Sequence, residues 1–153
     1  MAGRIFVDAD ACPVKTEIVH TAASFGVEVV MVASVDHQLQ PIPGVLVVQV
    51  DRSAQSVDLY IANKLQKGDV LITQDFGLAA LGLAKQAIVI SNRGLIYSDA
   101  MIDNLLHHRH IHAKLRRGGM RVKGPRALTD EDRGRFLQTL TKVLQNLQEN
   151  LSP

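Results

Sequence analysis

The sequence predicts an α/β protein in which a mostly parallel central sheet carries helices on both faces. Short apolar segments rich in β-branched residues alternate with segments whose apolar residues have helical spacing. The apolar segments hold few polar residues, which is typical of strands covered on both sides. After residue 98 only helical patterns remain. The 153 residues fit a single domain, with an α/β core at 1–98 and a basic helical part at 99–153 packed on it.

The first third of the chain contains three predicted strands and one helix. Residues 4–8 form a short apolar run that favours a buried strand. Pro13 then opens a helix, at a position where its missing N–H costs nothing, and Gly26 ends that helix. Residues 27–33 and 45–50 are rich in valine, which favours two further strands. A polar stretch with two prolines separates them and predicts a turn region.

The rest of the chain continues the alternation and then turns to helices alone. The predicted elements are a helix at 56–66, a strand at 70–73, a helix at 78–85, a strand at 87–91 and a helix from about 101 to 117. Glycines bracket a basic loop at 118–125, and Thr129 with three acids after it predicts the start of a last helix. Its apolar residues recur at helical spacing, so we expect it to pack back on the domain, although they leave a homodimer open.

The charges of the chain are segregated. The formal net charge is only +2, but residues 104–126 hold seven Lys or Arg and no acid. Such a segment favours a polyanionic partner, and we expect nucleic acid, with RNA favoured over DNA. The residues expected to follow its backbone are Arg109, Lys114, Arg116, Arg117, Arg121 and Lys123. A solvated helix face and loop is the alternative interpretation of the same segment.

Other features limit the class of protein. No apolar run approaches the roughly 20 residues that span a bilayer, and the first residues lack the long apolar stretch of a signal peptide, so we expect a cytoplasmic protein without a membrane partner. Cys12 is the single cysteine of the chain, which excludes an internal disulfide and a zinc site built from cysteines.

Four aspartates are the candidate catalytic and metal-binding residues. Asp8 and Asp10 lie at the end of the first predicted strand, and Asp75 lies two residues past a later one. The carboxyl ends of parallel strands meet at one edge of a sheet, where ligands bind. Asp58 shares the apolar stripe of its helix, where a lone charge is costly. One or two Mg²⁺ or Mn²⁺ ions would resolve the repulsion among these acids and support phosphodiester hydrolysis.

Within this hypothesis, Asp8, Asp58 and Asp75 hold metal directly, and Asp10 holds metal or orients the attacking water. Three residues at the same edge are candidates for binding phosphate: Lys15 in the first turn of the first helix, and Asn92 and Arg93 after the last strand. Each of the aspartates also has a simpler interpretation, as a cap or turn residue or as a charge that favours a helix dipole.

Two rival functions stay open from the residues alone. The first is a non-catalytic module that binds nucleic acid, in which the acids are structural. The second is a metal-dependent phosphatase that uses the same acids on a small phosphate ester, with the basic segment serving another partner.

Several motifs resemble those of the YaiI/YqxD family of uncharacterised bacterial proteins. The segment VDADACPVK at residues 7–15 is very close to the opening motif of that family. Further matches follow in the family's order: VDLYI at 57–61, GDVLITQD at 68–75, LAA at 78–80, NRG at 92–94, GP at 124–125 and DR at 132–133. Val57 and Ser91 depart from residues common in the family. These differences affect local packing and none of the carboxylates.

The resemblance carries a functional implication. The family is similar to PIN-like nuclease domains, which are three-layer α/β sandwiches whose clustered acids bind Mg²⁺ or Mn²⁺ and cut RNA or DNA. Carried over by position, this implies that Asp8, Asp10, Asp58 and Asp75 are the clustered acids of this chain. The activity rests on analogy of fold, because the family itself has no settled activity.

Overall fold

A parallel sheet of five strands organises the protein. The computed structural model describes residues 3–34, 41–51, 54–119 and 127–151. The strands are Ile5–Asp8 (β1), Val29–Ser34 (β2), Val45–Val50 (β3), Val70–Ile72 (β4) and Ile88–Ile90 (β5). Their order in the sheet is β3-β2-β1-β4-β5, and every neighbouring pair is parallel. The predicted fold class is therefore confirmed, and each strand lies within two residues of its predicted bounds.

Five helices connect and cover the strands. They are Lys15–Phe25 (α1), Ala54–Lys64 (α2), Phe76–Ala84 (α3), Asp99–Arg117 (α4) and Asp130–Leu151 (α5). In this described part of the chain, no helix is both long and apolar enough to cross a membrane.

The start of α1 differs from the prediction. Pro13 does not open the helix, because the chain first makes a 3-10 turn at Ala9–Ala11 and α1 begins at Lys15. The Cys12 N–H closes that turn on the Ala9 carbonyl at 3.4 Å, and the Val14 carbonyl accepts the first helical bond, from Ile18 N–H at 3.1 Å. The extra turn carries the chain past the carboxyl end of β1 before α1 runs back along the sheet.

Side chains alternate between the two faces of the sheet and build a core on each. In β1, Ile5 and Val7 enter a core that α1 and α5 cover, whereas Phe6 enters the opposite core, under α2, α3 and α4. The same alternation holds in β2 and β4. Helices therefore lie on both faces, as predicted, and β1, β2 and β4 are buried on both sides, whereas β3 is partly exposed.

Helix α5 packs back on the sheet, as its apolar spacing predicts. Phe136, Leu140 and Leu144 are buried in the core shared with α1. Among the side chains of α5 that the structure describes, Leu137 is the large apolar one left exposed, at 40%. The apolar face of this helix is thus used within the chain.

The turn after β5 is fastened to α5 through a glycine. Gly94 has a φ of +85°, and a Cβ built on it would lie 2.8 Å from the Arg135 carbonyl oxygen. The Thr139 hydroxyl donates to the Gly94 carbonyl at 2.8 Å. Both the backbone conformation and the close approach require glycine at this position.

We expect opposite effects from alanine at two glycines that lie near each other in the structure. Gly94→Ala should lower the free energy of unfolding by roughly 1–3 kcal/mol, because the Cβ meets backbone and the left-handed conformation becomes strained. Gly134→Ala should raise it by up to about 1 kcal/mol, because Gly134 lies inside α5 with open space around its Cα. Urea unfolding measures both, and a Gly94→Ala protein as stable as the wild type would contradict this packing.

Candidate functional site

The strand order reverses between β1 and β4. From β1 the chain extends the sheet in one direction through β2 and β3, and it then returns to place β4 and β5 on the other side. In open parallel sheets, ligands bind beyond the carboxyl ends of the strands at such a point. Asp8 is the last residue of β1, and Thr73 directly follows β4, so both stand at this crevice.

Thr73 joins the two strands by side-chain hydrogen bonds. Its hydroxyl donates to Asp8 Oδ2 at 3.0 Å and accepts the backbone N–H of Asp75 at 3.0 Å. Thr73 is only 1% exposed. One buried hydroxyl therefore fixes the Asp8 carboxylate and the entry of the chain into α3. No role for Thr73 was predicted from the sequence. Its spacing of two residues from Asp75 can be read from the sequence, but its contact with Asp8 depends on the register between β1 and β4.

Asp75 is both a helix cap and a member of the site. Its Oδ1 accepts the Leu78 N–H at 3.0 Å and so caps α3. Its charge also raises the pKa values of Asp8, Asp58 and Tyr97. Asp75 is therefore a helix cap, as its simpler interpretation predicts, and its charge also acts on Asp8 and Asp58.

Asp58 reaches the same cluster from α2. Desolvation by burial, followed by the charges of Asp75 and Asp8, raises its pKa to about 6. Val57 and Ile61 of its helix and Leu65, directly after the helix, are buried, while Asp58 is half-buried. Within the described residues, no hydrogen bond or ion pair engages its carboxylate. Asp58 thus lies beside the apolar side chains of its helix, as the sequence predicts, and within range of the charges of Asp75 and Asp8.

Asp8 lies at the centre of the acidic group. Burial raises its pKa, the hydrogen bond from Thr73 opposes that shift, and the charges of Asp75 and Asp10 add to it. Asp8, Asp58 and Asp75 thus interact with one another although they come from a strand, a helix and a loop. We call these three residues the acidic cluster.

Asp10 stands at the side of the acidic cluster. Its carboxylate accepts the Ser34 N–H, at 2.9 Å from Oδ1 and 3.2 Å from Oδ2. This bond ties the 3-10 turn after β1 to the end of β2. Asp10 is near enough to raise the pKa of Asp8. The structure thus gives this residue a positioning contact and leaves its predicted role toward metal as a prediction.

The acidic cluster has the donor chemistry of a hard-cation site, but its side chains do not converge as they stand. Carboxylate oxygens are the ligands that Mg²⁺ and Mn²⁺ prefer. In the described ranges, no group of three His, Cys, Asp or Glu side chains is arranged to hold a metal ion. Mg²⁺ usually binds through one or two carboxylates and keeps several waters, so the residues fit such an ion without three converging ligands.

Two aromatic residues lie next to the residues of the site. Tyr97 is 4% exposed, and its hydroxyl donates to the Thr73 carbonyl at 3.5 Å. Its ring meets Phe76 edge-on, with 6.3 Å between the centroids. Burial, and then the charge of Asp75, raises the pKa of Tyr97 to about 12, so the phenol stays neutral.

The residues predicted to bind phosphate are engaged within the protein. Lys15 Nζ donates to the Cys12 carbonyl at 3.1 Å. Asn92 is buried, and its backbone N–H donates to Gln74 Oε1 at 2.7 Å. The phosphate-binding role of Lys15 and Asn92 stays a prediction. To bind phosphate, Lys15 would have to release the Cys12 carbonyl.

Arg93 pairs with a buried carboxylate that sequence analysis did not assign to it. Its Nη1 lies 2.5 Å from Asp132 Oδ2, and Asp132 is 1% exposed. Asp132 also accepts from Arg135 at 3.1 Å and exchanges capping hydrogen bonds with Thr129. The sequence indicated an acidic first turn of α5, but the partner of Asp132 lies 39 residues away. Arg93 therefore fastens the turn after β5 to α5, and its role toward phosphate stays a prediction.

The basic segment is described in part. Arg109, Lys114, Arg116 and Arg117 belong to α4, where Lys114 is exposed. The side chains of the three arginines lie outside the described part of the structure, as do Arg121 and Lys123 altogether. Helix α4 packs against α3, whose first residue follows Asp75. The backbone thus brings the basic helix beside the helix that Asp75 caps.

Comparison with known proteins identifies the family. A family model described as "Uncharacterized BCR, YaiI/YqxD family" matches residues 6–146. A UPF0178 protein of Halalkalibacterium halodurans is 49% identical over 142 residues, which cover 93% of this chain and 90% of that protein. One from Listeria monocytogenes is 45% identical over 143 residues, covering 94% and 96%.

A UPF0178 protein of Clostridium novyi is 42% identical over 146 residues, covering 95% of this chain and 97% of that protein. No solved structure matches the chain. The family match includes the strand that ends in Asp8, the helix of Asp58 and the loop of Asp75. The resemblance inferred from the motifs is therefore confirmed, and this chain belongs to the YaiI/YqxD family of uncharacterised bacterial proteins.

Proposed function

We propose that this protein is a Mg²⁺- or Mn²⁺-dependent nuclease that hydrolyses phosphodiester bonds of RNA or DNA. The observation that carries the proposal is the meeting of Asp8, Asp58 and Asp75 at the crevice where strand order reverses. Structural ion pairs balance charge, whereas the acidic cluster gathers like charges. Burial, and then the charge of Asp75, raises the pKa of both Asp8 and Asp58. Perturbed acids in a crevice are candidates for chemistry.

Asp8, Asp58 and Asp75 are the residues that would hold the cation. When bound there, it would stabilise charge on a phosphate oxygen and make a coordinated water more acidic. Thr73 contributes by holding Asp8 through a hydrogen bond, and the cap on α3 holds Asp75. Asp10, whose carboxylate accepts the Ser34 N–H, would orient water beside Asp8. The chain would thus supply carboxylates held by hydrogen bonds at one edge of the sheet.

Asp58 is suited to move a proton. A pKa of about 6 places this carboxyl close to neutral pH, where a general base both accepts and releases protons readily. No described hydrogen bond or ion pair has to break before it does so. In the absence of a bound cation, the protonation of Asp58 therefore responds to conditions near neutrality.

The basic segment supports nucleic acid as the substrate. Helix α4 packs on α3 and carries a run of Lys and Arg without an acid after Asp103. Such a surface attracts phosphate backbones and releases counterions on binding. Because the acidic cluster itself repels phosphate, productive binding needs both the cation and this basic helix. A small phosphate ester has no use for the basic helix, so the phosphatase alternative explains less of the chain.

One observation favours a second candidate, a non-catalytic module that binds nucleic acid. In the described part of the chain, no three acidic, His or Cys side chains are set to hold a metal ion. In this candidate, the basic segment binds and the acids remain structural. The two functions differ in their response to chelation, because binding by the basic segment alone persists in EDTA.

Asp75→Asn should abolish cleavage of nucleic acid and leave the fold intact. Asparagine caps a helix as well as aspartate does, so α3 keeps its start while the cluster loses a charge. Residues around a metal typically account for 10- to 100-fold in activity, so we expect a loss of at least about 100-fold for a direct ligand. End-labelled single-stranded RNA and DNA, incubated in Mn²⁺, Mg²⁺ or EDTA, provide the measurement.

Asp103→Asn is the matched control, because Asp103 is an exposed aspartate on α4. It should cleave as the wild type does. Cleavage that persists in EDTA or in Asp75→Asn would contradict the proposal. A folded wild-type protein that binds the oligonucleotides and never cleaves them would establish the second candidate.

The stability of the protein should depend on pH through Asp58. Its pKa in the folded protein is about 6, above the ordinary value of 3.8, so ionising it costs more in the folded state than in the unfolded one. This penalty is absent in acid, grows as the pH rises from about 4 to about 6, and is constant above. Asp58→Asn removes the penalty and should therefore raise Tm at pH 7.5 more than at pH 4.5.

Thermal unfolding of the wild type, Asp58→Asn and Asp103→Asn at the two pH values measures this effect. The measurement is made in EDTA, because a bound cation would itself relieve the repulsion. Asp103→Asn is the control for the loss of an aspartate at an exposed position on α4. An Asp58→Asn protein less stable than the wild type at pH 7.5 would show that Asp58 is not held among like charges.

A further inference from the structure

Four basic residues meet at the amino end of the sheet, away from the acidic cluster. Arg4 directly precedes β1, Lys64 ends α2, Lys67 lies in the turn between α2 and β4, and Lys85 directly follows α3. We call these four residues the amino-end patch. The three lysines are exposed, and Arg4 is half-buried. They could not be grouped from the sequence, because three separate parts of the chain supply them.

Hydrogen bonds around the turn before β4 bring these residues together. Lys85 Nζ donates to the Leu65 carbonyl at 3.4 Å, which places this lysine beside the end of α2. Arg4 N–H donates to Asp69 Oδ1 at 3.0 Å, so the start of β1 lies beside the residue two positions after Lys67. The ends of α2 and α3 and the start of β1 therefore border one turn.

The acids near the amino-end patch offset only part of its charge. Asp69 is 5% exposed, and its carboxylate oxygens accept the backbone N–H groups of Arg4, at 3.0 Å, and of Gln66, at 2.8 Å. Glu28 precedes β2 on the other side of β1, where its carbonyl accepts the Ile5 N–H. Among the described residues, no ion pair joins Glu28 to the patch. The patch thus sets four cations against two acids, one of them buried.

Two of the lysines present exposed ammonium groups. Lys64 Nζ lies 6.0 Å from the centre of the Tyr60 ring, and Tyr60 is half-buried. In the part of the chain that the structure describes, neither Lys64 nor Lys67 makes a hydrogen bond or an ion pair. A cation in the last turn of a helix favours the helix dipole, which accounts for Lys64 but not for Lys67, which lies beyond α2.

We propose that the amino-end patch binds the phosphate backbone of a single-stranded nucleic acid, a partner that rests on the function proposed above. Exposed lysines bind phosphates by displacing counterions from the strand. An aromatic ring beside such cations is the combination on which an unpaired base stacks, and Tyr60 beside Lys64 provides it. An acidic protein segment would use the cations and leave the ring without a role.

The distance between the amino-end patch and the acidic cluster suits one continuous strand. Arg4 precedes β1 and Asp8 ends it, so four residues separate them, or about 13 Å at about 3.3 Å per residue. About four stacked nucleotides span this distance, at about 3.4 Å each. Helix α2 carries both Asp58 and Lys64, which are about 9 Å apart along its axis. One helix therefore connects the two sites.

Lys67→Gln should lower the salt dependence of nucleic-acid binding. Each phosphate contact with a single strand contributes about 0.7 to the slope of log affinity against log salt. The slope should become shallower by about 0.7 in Lys67→Gln and by about 1.4 in the double variant Lys64→Gln with Lys67→Gln. Fluorescence anisotropy of a labelled single strand of about 16 nucleotides, from about 50 to 200 mM salt, gives the slopes. Every protein in this titration also carries Asp75→Asn, which prevents cleavage.

Lys142→Gln is the matched control, because Lys142 is an exposed lysine on α5, which covers the other face of the sheet. It removes the same charge from the protein as Lys67→Gln does, and it should leave the slope unchanged. Circular dichroism verifies that each variant is folded.

Equal slopes for Lys67→Gln and Lys142→Gln would overturn the proposal. Polyglutamate binding that Lys67→Gln weakens more than it weakens binding of the oligonucleotide would overturn it as well, in favour of an acidic protein segment. A protein that never cleaves, but whose slope falls in Lys67→Gln, would contradict the nuclease and establish the patch. A protein that cleaves, with equal slopes in the two variants, would support the nuclease and contradict the patch.

Discussion

Parallel pairing of β1 with both of its neighbours is the constraint on which the rest of the structure depends. It brings the carboxyl ends of β1, β2 and β4 to one edge, and the reversal of strand order opens a crevice between β1 and β4. The Thr73 hydroxyl spans that crevice to Asp8. Without this register, Asp8 and Asp75 would be unrelated residues 67 positions apart in the sequence.

The two cores stabilise a site that is itself unfavourable. Asp8 and Asp58 have raised pKa values because burial and neighbouring carboxylates both oppose their ionisation. The sheet is buried on both faces, so its packing offsets that cost. Among the described residues, the ion pairs of Arg93 with Asp132 and of Arg133 with Glu17 lie outside the acidic cluster. These balanced charges fasten α5 to the turn after β5 and to α1.

The sequence was sufficient where the signal is local and insufficient where it depends on register. Valine-rich runs predicted the strands, and the stripe position of Asp58 predicted an acid beside the core. Asp75 has two interpretations from the sequence, as a helix cap and as a member of the acidic cluster. In the structure it caps α3 and its charge also acts on Asp58. The hydrogen bonds of Thr73 with Asp8 and of Arg93 with Asp132 join residues far apart in the chain, so they could not be predicted from residue spacing. The predicted start of α1 was wrong because proline also suits the turn that precedes a helix.

The central claim is that the acidic cluster is a cation site, and direct binding of Mn²⁺ tests it most simply. Electron paramagnetic resonance reports free Mn²⁺ in a titration, independently of any substrate. At pH 7.5 the wild type should bind Mn²⁺, Asp10→Asn should bind it nearly as well, and the double variant Asp8→Asn with Asp58→Asn should not bind it. Lowering the pH below about 6 should weaken binding, since Asp58 becomes protonated. A folded wild-type protein that leaves millimolar Mn²⁺ free, or a double variant that binds it equally, would contradict the claim.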